Sequence, residues 1–113
     1  MIDNNMQSDK ELIKSIRQKA KQKILYLPHA IRQMARPERM ISPSEIRKVI
    51  AQGKIIEDYT DDIRGHSCLI MGKGDIGRTI HIVCSPKEDY LVIITAYIPS
   101  LKDWKEGFEE REK

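Results

Sequence analysis

The chain has 113 residues, a formal net charge of +3, and side chains that are 40% apolar and 33% charged. That is room for one domain of the usual ~100–150 residues; it excludes a large two-domain enzyme, and the apolar share excludes wholesale disorder. The longest apolar run, Tyr90–Ile98, is strand-sized and falls short of the ~20 residues of a membrane span; the charged N-terminal stretch carries no apolar signal-peptide core, so the expected compartment is the cytoplasm.

Charge is unevenly spread. Residues 1–54 hold 12 Lys/Arg against 5 Asp/Glu, whereas residues 55–113 hold 8 against 12. A basic half is the footprint of polyanion contact, although solvated faces of Lys-rich helices produce the same statistic. The two cysteines, Cys68 and Cys84, in a chain without an export signal read as buried thiols rather than a disulfide.

Residues 1–7 are expected to be disordered, 8–108 to form a single domain and 109–113 to be a charged tail. Ser8-Asp9-Lys10-Glu11 has the form of a capping box and predicts a helix start. Leu12, Ile16, Ala20 and Ile24 recur every four residues with Ile13 alongside, leaving Lys10, Lys14, Arg17, Gln18 and Lys21 on the outer side. The helix gives out near Lys23, before the apolar run Ile24–Leu27 stopped by Pro28. Pro28 suits the first position of a second helix running to Arg36, with Leu27, Ile31, Met34 and Ala35 inward and His29, Arg32, Gln33 and Arg36 outward. A third helix follows the Ser42 cap with Pro43 at its first position, buries Ile46, Val49 and Ile50, and ends at Gly53.

From Lys54 the period changes to two. Lys54–Tyr59, Ser67–Met71, Thr79–Cys84 and Leu91–Ile98 read as strands joined by Gly- and Pro-containing turns, so neighbours should run antiparallel, with the doubly apolar fourth strand central. Trp104 and Phe108, at i and i+4, predict a short C-terminal helix. The expected fold is α+β: N-terminal helices packed on one face of a three- to four-stranded, mainly antiparallel sheet.

The chemistry-bearing residues follow from these placements. His29 lies in the first turn of the second helix, where the helix dipole disfavours the imidazolium. With Arg32 and Arg36 on the same face it has the makings of a metal-independent attack on a phosphodiester, His29 as base and the arginines on phosphate. His81 points away from Ile80, Ile82 and Cys84 and is the candidate general acid, with Arg78 near by; Tyr97 and Thr95 share a face of the fourth strand and offer hydroxyl groups. Each has a plain alternative, a packed or capping side chain. Zinc is disfavoured because positions 81 and 84 of one strand project to opposite faces, so no metal or other cofactor is expected. Glu57, Asp58, Asp61 and Asp62 read either as a divalent-cation pair or as an acidic loop that pairs with the basic helices.

Pro28-His29-Ala30, Met34, Ile41-Ser42, Gly53 and Ile56-Glu57-Asp58-Tyr59, followed by Arg64–Leu69, Gly72, Gly77-Arg78, His81-Ile82-Val83, Asp89-Tyr90, Ile93–Tyr97 and Trp104, resemble the bacterial family catalogued as domain of unknown function 4258. That family resembles small toxins of the RelE type. The resemblance implies a metal-independent endoribonuclease restrained by a zinc-finger antitoxin protein, with His29, His81, Thr95 and Tyr97 at the family's positions. Gln33 stands where many members carry arginine before the methionine, which leaves that role to Arg32 or Arg36. Three readings follow: an RNA-cleaving toxin with catalytic His29, His81 and Tyr97 and with Arg32, Arg36, Arg78 and Thr95 on the substrate; a non-catalytic nucleic-acid- or protein-binding module; or an adaptor whose strand edge pairs with another chain.

Overall fold

The structure, a computed structural model, describes residues 4–112. The first helix, α1, spans Asn4–Gln22, so the predicted start at Ser8 lies inside it, and positions 1–3 fall outside the described residues. Leu12 and Ile16 are buried as the four-residue repeat requires. Arg17 crosses to a neighbouring helix, where its Nε and Nη2 donate to the carbonyls of Ile50 and Gly53 at 2.9 Å each. These are carbonyls left without partners at a helix C-terminus. That helix, α3, spans Pro43–Gln52; the Ser42 hydroxyl accepts from the Glu45 amide at 3.2 Å, as the cap signal predicts. Gly53 ends it in an extended conformation, φ −78°, rather than a left-handed one. Glycine is needed there because a Cβ would lie 2.5 Å from the Val49 carbonyl and 2.6 Å from the Met71 carbonyl.

The second helix, α2, spans only Pro28–Met34 and does not reach Arg36. It turns Ala30 and Met34 inward, while Ile31, predicted to be buried, is 55% exposed.

The sheet departs from the expectation in strand number and direction. It has five strands and is mixed: β1 (Ile24–Tyr26), β2 (Lys54–Tyr59), β3 (Ser67–Lys73), β4 (Thr79–Pro86) and β5 (Leu91–Tyr97), in the order β1-β5-β4-β3-β2. The extra strand is the short apolar run before Pro28, paired parallel to β5 with Ile24 opposite Leu91 and Tyr26 opposite Ile93. Its physical reason is that β5, apolar on both faces, is stable where it has neighbours on both edges; with β1 added it is an interior strand, and β4 rather than β5 is central. β2, β3, β4 and β5 form the expected antiparallel meander.

All three helices cover one face, burying Ile80, Ile82 and Cys84 of β4 with Leu91, Ile93 and Ala96 of β5. Cys68 and Cys84 face each other across β3 and β4 in that core as buried, unbridged thiols. A hydrogen bond with Cys68 and burial push the Cys84 thiol well up, so it is no nucleophile.

The predicted C-terminal helix is absent. Residues 100–112 instead form a folded arm closed by a bridge between Trp104 and Arg111 and by Lys105 N–H donating to the Glu110 carbonyl at 2.8 Å. Gly107 at φ 91° and Phe108 at φ 61° break any helical path between Trp104 and Phe108. No helix among the described residues is long and apolar enough to cross a membrane.

The β3–β4 connection places Ile76 at φ 52°, a left-handed conformation that costs a β-branched side chain about 1–2 kcal/mol. Ile76 is 99% exposed, so no burial offsets that cost. Replacement by glycine is therefore expected to leave the urea midpoint unchanged or to raise stability by up to about 1 kcal/mol. A loss of that size would show that the isoleucine makes a stabilising contact.

Candidate functional site

The strand period sends His81 to the face opposite the helices, and the structure surrounds it there. Its ring packs edge-on against Trp104 at 4.5 Å between centroids and against Tyr97 at 5.3 Å. Nε2 lies 2.8 Å from the Phe108 carbonyl, an acceptor only, so Nε2 carries the proton and Nδ1 accepts from the Tyr97 hydroxyl at 3.2 Å. Burial is the main influence on the imidazole and takes its pKa down to about 4, leaving it neutral near pH 7.

Beside it, Arg111 from the arm forms a two-pronged pair with Glu57 of β2, at 2.8 and 2.9 Å, and stacks over Trp104 at 4.7 Å. The Tyr59 hydroxyl also donates to Glu57. Burial raises the Glu57 carboxyl, but the Arg111 and Tyr59 hydrogen bonds outweigh it and hold the group below its ordinary value. The Tyr59 hydroxyl is pushed up to about 12 by burial and by Glu57. Every polar atom of His81 is thus occupied beneath the arm, which suits a role in anchoring the arm.

His29 has a different setting. It is exposed in the first turn of α2, and α2 packs through Ala30 and Met34 on the helix-covered face. The sheet therefore divides His29 from His81, and the two imidazoles expected to share one phosphodiester do not meet. Arg32 is exposed on the same helix; Arg36 lies beyond its end, paired with Glu38 at 3.1 Å. Thr95 is half-buried on the His81 face, opposite Val83, and Tyr97 is the one predicted partner that the fold brings to His81.

Arg78 is used structurally. Its guanidinium donates to Glu45 through Nε at 3.0 Å and through Nη2, and also to the Arg39 and Met40 carbonyls. The acidic residues do not converge either: Glu57 pairs with Arg111, Asp58 with His66, and Asp62 with Arg64 and Ser67. No group of three His, Cys, Asp or Glu side chains that could hold a metal occurs among the described residues.

A continuous cationic surface lies on the helix layer. Between the C-terminal end of α1 and α3 is a cavity of about 540 Å³ lined by Arg17, Lys21, Lys23 and Arg47, floored by Ile24, with no carboxylate in its lining. It continues along α1 past Lys14 and Lys10. None of Lys10, Lys14, Lys21, Lys23 or Arg47 forms an ion pair with a carboxylate among the described residues. The outward lysines of the first helix were the sequence signal for this surface; the contribution of Arg47 depends on α1 lying against α3, which no local pattern encodes.

No curated protein and no solved structure matches the chain, and the likeness to RelE-type toxins gains no support from these comparisons. A family model does match: it covers residues 26–98, from the end of β1 through β5, and leaves α1 and the arm outside the matched span. On that match, the chain belongs to the family described as Domain of unknown function (DUF4258).

Proposed function

We propose that the protein is a nucleic-acid-binding module that holds a single strand, such as RNA, by its phosphates along the α1–α3 trough. The observation that carries this reading is the run of Lys10, Lys14, Arg17, Lys21 and Arg47 along an elongated surface, with a carboxylate, Asp9, entering only in the adjoining hollow at the Lys10 end. A strand of nucleic acid is a linear polyanion, and cations spaced along a trough displace its counterions. The net charge of +3 is small, so attraction comes from this local arrangement rather than from the whole molecule.

Fluorescence anisotropy with a labelled oligouridylate of about 20 nucleotides tests it, because log K should fall linearly with log salt, by about 0.7 per phosphate neutralised. The Lys21→Gln/Arg47→Gln variant should bind roughly tenfold more weakly at low salt and lower that slope by about 0.7 for each cation removed. Affinity indifferent to salt would overturn the reading.

The narrower reading, a toxin-like endoribonuclease, draws on the exposure of His29 with Arg32 one turn along α2. It makes its own prediction in the same assay: with chelator present, the RNA shortens over time, and His29→Ala abolishes this while binding persists. Intact RNA throughout leaves the binding module. A zinc-finger antitoxin as partner belongs only to the nuclease reading.

A further inference from the structure

Two apolar side chains project from loops held by Glu45 at the N-terminal end of α3, the helix whose Arg47 lines the trough. Met40 is 67% exposed and Ile76 99% exposed, and both residues hold left-handed backbone, φ 50° and 52°. Single exposed apolar residues are ordinary. Two that share a disfavoured conformation and one anchor are not. The anchor is the Glu45–Arg78 pair: Arg78 Nη2 donates to the Met40 carbonyl at 3.1 Å, the Arg78 amide donates to the Asp75 carbonyl at 3.3 Å, and Glu45 accepts from the Asp75 amide at 2.8 Å. One buried carboxylate and one arginine therefore fix both loops side by side with their apolar side chains outward.

The surroundings identify the partner's chemistry. Arg36, Arg39 and Lys48 border these loops against Glu38 and Asp75, so the rim is net cationic. Lys48 reaches Asp75 at 3.9 Å, while its neighbour on α3, Arg47, lines the trough. An anionic partner with apolar faces set beside its charges fits this layout, and a nucleic-acid strand has that character: phosphates on one side, base faces on the other. Isoleucine and methionine are also among the residues that other proteins wedge between base steps.

We infer that Met40 and Ile76 form an apolar wedge that packs against bases while the trough holds the adjoining phosphates. This rests on the nucleic-acid reading above and adds base contact to it. The test is the variant Met40→Gly/Ile76→Gly, whose glycines accept the left-handed backbone and so preserve the fold. With the labelled oligouridylate it should bind about tenfold more weakly than the wild type, and its salt slope should not change, because an apolar contact releases no counterions. A 2-aminopurine placed in the strand should brighten on binding the wild type, as its stacking is lost, and stay dim with the variant. Wild-type binding with equal affinity and equal brightening in the variant overturns the wedge and leaves the phosphate trough standing. Absence of binding by the wild type overturns both.

Discussion

Between pH 6.5 and pH 4 the protein should lose about 3 kcal/mol of stability through His81 alone. The imidazole is buried, and the folded state keeps it neutral down to about pH 4, whereas the unfolded chain protonates it near 6.5. Across that window the unfolded state binds more protons, so stability rises with pH and falls on acidification. Above pH 6.5 both states are neutral and the effect is absent. The full difference of about 2.5 pKa units, at about 1.4 kcal/mol each, is lost only below pH 4, and most of it has gone by pH 4. Urea midpoints measured from pH 7.5 to pH 4 should fall accordingly, and the His81 ring protons should stay unshifted in NMR spectra until close to pH 4. A His81 titration near 6.5 in the folded protein would contradict the burial of the ring beneath the arm. A neutral imidazole with both nitrogens engaged is a poor donor to a leaving oxygen, so the same titration bears on whether His81 could be a general acid.

That result depends on a surface the sequence conveyed only in part. Alternation along β4 places His81 opposite Ile80, Ile82 and Cys84, and alternation along β5 gives it Tyr97; both are period-two facts and both hold. What lies over His81 could not be read, because the spacing of Trp104 and Phe108 fits a helical turn as well as it fits the arm, and left-handed backbone at Gly107 and Phe108 decides between them. The Ser42 cap and Pro43 marked α3 because capping is local. β1 escaped because three residues carry no measurable period and its partner, β5, is remote in sequence: Ile24 lies opposite Leu91. The pairing of Arg78 was hidden for a similar reason. An arginine after a glycine turn has the appearance of a phosphate ligand until Glu45, 33 residues earlier in the chain, is seen against it.

Glu45→Ala should cost about 3 kcal/mol and should disturb the exposed loops more than any surface substitution. The carboxylate is 2% exposed and accepts from Arg78 and from the Asp75 amide, so its removal leaves the guanidinium without its counter-charge, held only by the Arg39 and Met40 carbonyls, and the Asp75 amide without an acceptor. Breaking a fully buried pair costs about 3–5 kcal/mol; the Arg78 side chain is a quarter exposed, which places this pair at the lower end. The pH sign agrees with the assignment. Hydrogen bonding from Arg78 holds the Glu45 carboxyl below its ordinary value, so its contribution is fully present above about pH 4.5 and is lost as pH falls through the lowered folded-state value. Arg78→Ala should destabilise to a similar extent, and the double variant should cost less than the sum of the singles, by about 1–3 kcal/mol. The substrate-binding alternative predicts the reverse: Arg78→Ala would leave the urea midpoint in place and lower the salt slope of RNA binding by about 0.7. Coupling in the stability cycle with an unchanged salt slope would identify Arg78 as the clamp that holds Met40 and Ile76 outward, one step removed from the nucleic acid.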